Sequence, residues 1–193
     1  TQSRSSAASD VYKRQACAQS PAGIDLSVWL YQTPEPPDVG AVILEEIVPL
    51  NAQQMLQSAR DEQAAWQRAL STTLHRTGIP YEALRNELLF GTALFVYVKS
   101  SLLPHIRRVE GTTKKTGFRG MSGNKGAVAV RFELFDTSIC MVGSHLSSGS
   151  NNKEERNADY HAIARDLVFT RGRTIDSHAV SYTHLTLPTI YSV

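Results

Sequence analysis

Gly117, Gly120, Gly123 and Gly126 recur every third residue in a segment that also carries Lys114, Lys115, Arg119, Ser122, Asn124 and Lys125. Glycines let backbone N–H groups turn toward an anion, and lysine and arginine supply charge, so this combination suits a loop that faces phosphate. The same residues also suit the glycine-rich start of a hairpin, and their spacing is neither a Walker A loop nor a dinucleotide fingerprint. Further along, His145 closes an apolar run just before the small, polar segment LSSGSNN. An imidazole at a strand end can reach a substrate or simply satisfy local hydrogen bonds. Upstream, Glu46 follows the apolar run of Val39, Ala41, Val42, Ile43 and Leu44. A carboxylate there can ligate a hard cation such as Mg²⁺ or cap a neighbouring element. Phosphate chemistry is the reading that joins the three.

The elements that must position these groups follow from hydrophobic periodicity. VGAVILEE, apolar on both faces, predicts a buried strand in a sheet covered on both sides. DLSVWL before the Pro-rich TPEPPD predicts a short apolar element closed by a turn. From Asn51 to His75, Met55, Ala59, Trp66, Ala69, Leu70 and Leu74 recur largely at three- and four-residue steps, which predicts an amphipathic helix with a break near Ser58 to Asp61, ended by Gly78 and Pro80. Leu88 to Lys99 predicts one strand, and LLPHIRR a connector. GAVAVRFELF and SICMVGSHL, joined by the turn-like Asp136-Thr137, predict a hairpin. Asn152 to Phe169 predicts a helix capped by Asn151 or Asn152, with Glu154 and Glu155 favoured in its first turn. The fold class is α/β, with mostly antiparallel strands and helices outside them.

Composition bounds the rest. The chain has 193 residues, is 41% hydrophobic and 20% charged, and carries a net charge of +2, which fits one globular core and is too small a charge to imply nucleic-acid or membrane binding. The distribution matters more: Lys99, Arg107, Arg108, Lys114, Lys115, Arg119, Lys125 and Arg131 are interrupted by the single acid Glu110, a local anion-attracting surface. Cys17 and Cys140 form no zinc-like pattern or disulfide framework, which points to an intracellular protein. No apolar run suits a membrane span or signal peptide, so any membrane contact is expected to be peripheral. Residues 1–15 and 179–193 share no pattern with the intervening chain. They resemble translated sequencing-adapter read-through, which leaves 16–178 as the expected domain. A Thr-rich edge strand is the alternative reading of the second segment.

From Lys114 to Phe169 the order and spacing of motifs resemble the catalytic domain of the inositol-polyphosphate 5-phosphatases, most closely the synaptojanin-like members found in fungi. GNKGAVAV (residues 123–130), SHLSSG (144–149), EIVPLN (46–51) and the set Arg156, Asn157, Asp159 and Tyr160 carry the likeness. The resemblance implies a partial two-layer β-sandwich flanked by helices, of the endonuclease/exonuclease/phosphatase kind. It also implies Mg²⁺ on Glu46, His145 at the scissile phosphate, and Asn124 and Lys125 near the inositol phosphates. Arg156 and its neighbours are read mainly as a polar helix start bracing the loops.

Two departures have consequences. The family pattern has glutamine at the position of Glu45, so a second carboxylate disturbs the cation site through like-charge repulsion, points outward, or is a sequence error. RGRTIDSH (171–178) matches the approach to a Trp-Leu-Gly-Asp motif that does not follow, and a terminal Ser-Asp-His motif is also missing. The implied reaction is Mg²⁺-dependent hydrolysis of the 5-phosphate of a phosphoinositide or soluble inositol polyphosphate, with the isolated chain inactive. The expected setting is cytoplasmic, peripheral at anionic membrane surfaces, with no nucleic-acid partner. The rivals are a non-catalytic phosphoinositide-binding module and a metal-dependent nuclease of the same superfamily.

Overall fold

Val39–Glu45 (β2) is the strand that the unbroken apolar run requires, and its two faces serve two cores. Side chains alternate along a strand. Thus Val39, Ala41 and Ile43 face the interior of a sandwich, whereas Val42 and Leu44 pack toward helices. In this computed structural model, residues 9–16, 20–30, 35–48, 55–120, 122–149 and 151–184 are described. They form two four-stranded sheets.

The first sheet runs β1-β2-β4-β3, with β1 Ser9–Gln15, β3 Tyr81–Leu89 and β4 Thr92–Lys99. The second runs β5-β6-β7-β8, with β5 Ile106–Thr116, β6 Ser122–Leu134, β7 Thr137–His145 and β8 Val180–His184. Each sheet is antiparallel except for one parallel edge strand, β1 on β2 and β8 on β7. Between the sheets lie Ile43, Leu94, Val96, Val128, Val130 and Met141, all buried.

Helices cover both outer faces. The short α1 (Ser27–Leu30) and the long α2 (Met55–His75) lie on the first sheet, where Trp66 and Leu70 pack with Leu44 and Phe95. A single turn, α3 (Gly117–Gly120), links β5 to β6, and α4 (Lys153–Asp166) lies on the second sheet, where Ile163 packs with Ala127, Ala129 and Val142. The expected α/β sandwich flanked by helices is present.

Several expectations need correcting. Helix α2 is unbroken through Ser58 to Asp61, since the buried stripe of Ala59, Trp66 and Leu70 holds one face throughout. The run from Leu88 to Lys99 is two strands turning at Phe90-Gly91, where Phe90 has φ 51°. LLPHIRR is a 3₁₀ turn that passes into β5 at Ile106. The expected domain bounds are a separate matter: residues 9–15 and 180–184, within the segments set aside, pair as the edge strands β1 and β8, and an exposed sheet edge accepts extended backbone whatever its origin. Asn152 stands at the N-cap of α4 without a side-chain cap bond; its amide donates to Ser148 O at 2.6 Å. Expectations resting on Cys17, Thr33, Pro34, residues 49–54 and Leu185 to Leu187 lie outside the described residues.

Candidate active site

Glu45 is the last inward-facing position of β2, two residues after Ile43, and His145 is the last of β7, two residues after Gly143. Gly143 sits against Ile43: a Cβ there would lie 2.8 Å from Ile43 Cγ2 and 3.0 Å from Cγ1, closer than carbon atoms pack. The missing side chain lets the sheets close at this end. Glu45 and His145 consequently meet, with His145 Nδ1 3.2 Å from Glu45 Oε2. Both side chains are nearly buried, at 8% and 12% exposure.

Glu46 leaves the strand in the left-handed region at φ 55°, an uncommon conformation for a side-chain-bearing residue. Its backbone is pinned on both sides, by Ala16 N donating to Glu45 O (2.7 Å) and Ile47 N donating to Gly91 O (3.0 Å). The turn sends its carboxylate around to the other edge of the imidazole, where Oε1 is 3.6 Å from His145 Nε2. The ring therefore stands between the two carboxylates. Glu45 points inward rather than outward, and the imidazole is contacted by Glu45 at Nδ1 and by Glu46 at Nε2.

Lys125 Nζ packs against the same Nε2. It arrives there because Gly126 pairs with His145 on one side and with Lys115 on the other, with φ 151°. A Cβ at Gly126 would lie 2.1 Å from Lys114 O, so only glycine lets β5 approach here. Lys114, Lys115, Gly117, Gly120, Asn124 and Lys125 line one wall of an open cleft of about 850 Å³, and the start of α4 lines the other. The glycine-rich segment is thus both a hairpin tip and a cleft wall.

The basic stretch is less available than its composition suggests. Lys99 pairs with Asp38, Arg108 with Glu133, Lys114 with Asp166, and the buried Arg131 with Glu110 and Glu133. Arg165 and then Lys114 hold the Asp166 carboxyl well below its ordinary range. These pairs tie sheet to helix and strand to strand. On the same wall Lys125 is held against His145, and Lys115 lies over the Phe90 ring.

The loop after His145 is braced from α4. Asp159 Oδ2 accepts from Ser147 N (2.9 Å) and Ser147 Oγ (2.8 Å), and Arg156 donates to Gly149 O and, at 3.5 Å, to Ser147 O. Arg156 and Asp159 are buried as the bracing role requires, while Asn157 and Tyr160 are exposed. Sequence reasoning missed Gly143 and the inward turn of Glu45. A glycine inside a strand is itself a sign of close backbone approach, and that signal was present.

A cation site can be tested against these residues. Among the described residues no three His, Cys, Asp or Glu side chains come together at metal-ligand spacing, so a closed zinc-type site is not built here. One half-buried carboxylate, Glu46, beside His145 and close to Lys125 does fit Mg²⁺, which keeps most of its waters and binds through one or two carboxylates plus substrate phosphate.

The sequence model of the endonuclease/exonuclease/phosphatase family 2 matches residues 16–184. The chain belongs to this family. It is 40% identical over 157 residues to Polyphosphatidylinositol phosphatase INP53 of Saccharomyces cerevisiae, covering 80% of this chain and 14% of the relative. It is 42% identical over 171 residues to Inositol-1,4,5-trisphosphate 5-phosphatase 1 of Schizosaccharomyces pombe, covering 86% and 16%. A crystal structure of the inositol polyphosphate 5-phosphatase domain of SpSynaptojanin, in complex with inositol (1,4)-bisphosphate and calcium ion, aligns with TM-score 0.80 at 38% identity, covering 90% of this chain and 50% of that one. The chain thus spans about a sixth or less of the two curated relatives and half of the solved domain.

Proposed function

We propose that this chain forms part of a Mg²⁺-dependent phosphatase that removes the 5-phosphate from phosphoinositides or inositol polyphosphates. The observation that carries the reading is the convergence of Glu46, His145 and Lys125, the last of which also lines the cleft walled by Lys115 and Asn124. Its relatives' names and the bisphosphate-bound domain add the substrate class. A nucleic-acid duplex would call for a broader basic face than this cleft, and in the basic stretch outside it Lys99, Arg108 and Arg131 are already paired.

In this reading Glu46 holds the cation, which supplies polarisation of the phosphoryl group when bound. Lys125 places positive charge beside the phosphate, and His145 fixes that ammonium in place, so charge that grows on the phosphoryl oxygens meets donors already oriented. Asn124 and Lys115 take the remaining ring phosphates. Asp159 and Arg156 keep the 146–149 loop from collapsing into the cleft. The setting we propose is the cytoplasm, with peripheral contact at anionic leaflets that display such headgroups. Among the described residues no helix is long and apolar enough to cross a membrane.

The test is calorimetric titration of the chain with inositol 1,4,5-trisphosphate and inositol 1,4-bisphosphate, in Mg²⁺ and in EDTA. The trisphosphate is expected to bind more tightly, with a Mg²⁺-dependent component lost in Glu46→Ala and a general loss in Lys125→Ala. Headgroup binding that survives Glu46→Ala and His145→Ala unchanged would favour a non-catalytic binding module. Preference for a DNA duplex over either inositol phosphate would overturn the reading.

A further inference from the structure

We propose that Glu45 is a positioning residue for His145: its carboxylate accepts the Nδ1 proton and holds the imidazole as the Nδ1–H tautomer, with bare Nε2 receiving Lys125. Donors and acceptors decide the assignment. A lysine ammonium has only protons to give, so the ring nitrogen packed against Lys125 Nζ must accept. In a neutral imidazole the other nitrogen then carries the hydrogen, and Nδ1 faces Glu45 Oε2 at 3.2 Å. A carboxylate is an acceptor only and completes the assignment. The three groups form one directed line from β2 through β7 to β6, namely Glu45, His145, Lys125.

Burial makes the line stiff. Glu45 and His145 are nearly enclosed, so neither can trade this contact for water, and the close Gly143–Ile43 packing behind them fixes the separation of their strands. Glu46 approaches Nε2 from 3.6 Å, and with Nε2 bare it receives no hydrogen bond from the ring, which leaves its carboxylate for another positive group. The consequence for the site is that Glu45, acting through His145, decides where the Lys125 ammonium points. This consequence rests on the phosphatase reading; the tautomer itself does not.

The test needs neither substrate nor metal. In long-range ¹H–¹⁵N spectra of the ¹⁵N-labelled chain at about pH 8, above the ordinary histidine range, His145 is assigned by its loss in His145→Gln. The expected result is a protonated Nδ1 and a bare Nε2 in the wild type. Glu45→Ala is expected to lose that pattern in favour of the Nε2–H form, and Glu45→Gln, which keeps an acceptor oxygen at the same reach, to restore it. A wild-type Nε2–H ring, a doubly protonated ring, retention of Nδ1–H in Glu45→Ala, or failure of Glu45→Gln to restore it would each overturn the proposal. Should Glu45→Ala fail to fold, the wild-type spectrum decides alone. A correct tautomer in a chain that binds no inositol phosphate would refute the phosphatase reading and leave this assignment standing.

Discussion

Replacing Gly143 by alanine adds one methyl group at the point where the two sheets touch. That methyl would start 2.8 Å from Ile43 Cγ2, and ordinary carbon contacts lie near 3.5–4.0 Å, so the strands must part by about 0.7 Å or more. Overpacking of this kind typically costs about 1–3 kcal/mol. Because His145 and Glu45 lie two residues further along the same strands, their 3.2 Å contact would open to about 3.9 Å, beyond hydrogen-bond range. Denaturant unfolding of Gly143→Ala, Ile43→Ala and the double variant measures the effect as a cycle. Ile43→Ala alone leaves a cavity and is expected to cost about 2–5 kcal/mol. In the double variant the new methyl enters that cavity, so the loss should fall short of the sum by about 1–3 kcal/mol. Additivity within about 0.5 kcal/mol would refute the claim that this glycine sets the sheet separation.

Two further outcomes are expected. Asp159→Ala strands the Ser147 amide and hydroxyl, at a cost of about 1–3 kcal/mol, and should accelerate hydrogen exchange at Ser147 well beyond that of β7; unchanged exchange would remove Asp159 from the bracing role. His178, with Nδ1 2.6 Å from Ser138 Oγ, has its pKa pushed below 6.5 by burial first and then by the charges of Arg131 and Arg173. The unfolded chain therefore takes up its proton at higher pH than the folded one. Stability should be full above about pH 6.5 and decline as pH falls below it toward the folded value. Urea midpoints of His178→Gln should show a shallower decline over that window, and an identical slope would exclude His178 as its source.

The parts of the fold that could be read from sequence are those that bury apolar side chains with a clear period. β2, β4 and the β6–β7 hairpin satisfy this, and so does α2 once its stripe of Ala59, Trp66 and Leu70 is followed, whereas α4, which buries Arg156 and Asp159 beside Ile163, was legible from its Asn cap position and first-turn acids instead. β3 and β5 did not, because edge strands are held by backbone pairing rather than burial, and residues such as Glu82, Arg85, Glu87, Arg107 and Lys115 give no period of two. Phe90 at φ 51° is a further case: nothing in an aromatic residue announces a left-handed turn.

The site divides along the same line. Glu46, His145, Asn124 and Lys125 carried recognisable motifs, and the structure brings Glu46, His145 and Lys125 together, with Asn124 on the same cleft wall. The partner of Glu45 was not legible, because it is set by what lies across the sandwich. That distance depends on Gly143 meeting Ile43, a contact between strands about a hundred residues apart. Charge composition misled in the opposite direction. A run of basic residues reads as one anion-attracting surface, yet half of its members are consumed by Asp38, Glu110, Glu133 and Asp166, which lie on other elements.

The most direct measurement of the central claim is phosphate release by a chimera in which residues 16–178 replace the matching segment of the SpSynaptojanin 5-phosphatase domain. With inositol 1,4,5-trisphosphate, release is expected to require Mg²⁺, to yield inositol 1,4-bisphosphate, and to be lost in Glu46→Ala and His145→Ala. A folded chimera that releases no phosphate, or one whose release is indifferent to both substitutions, would contradict it.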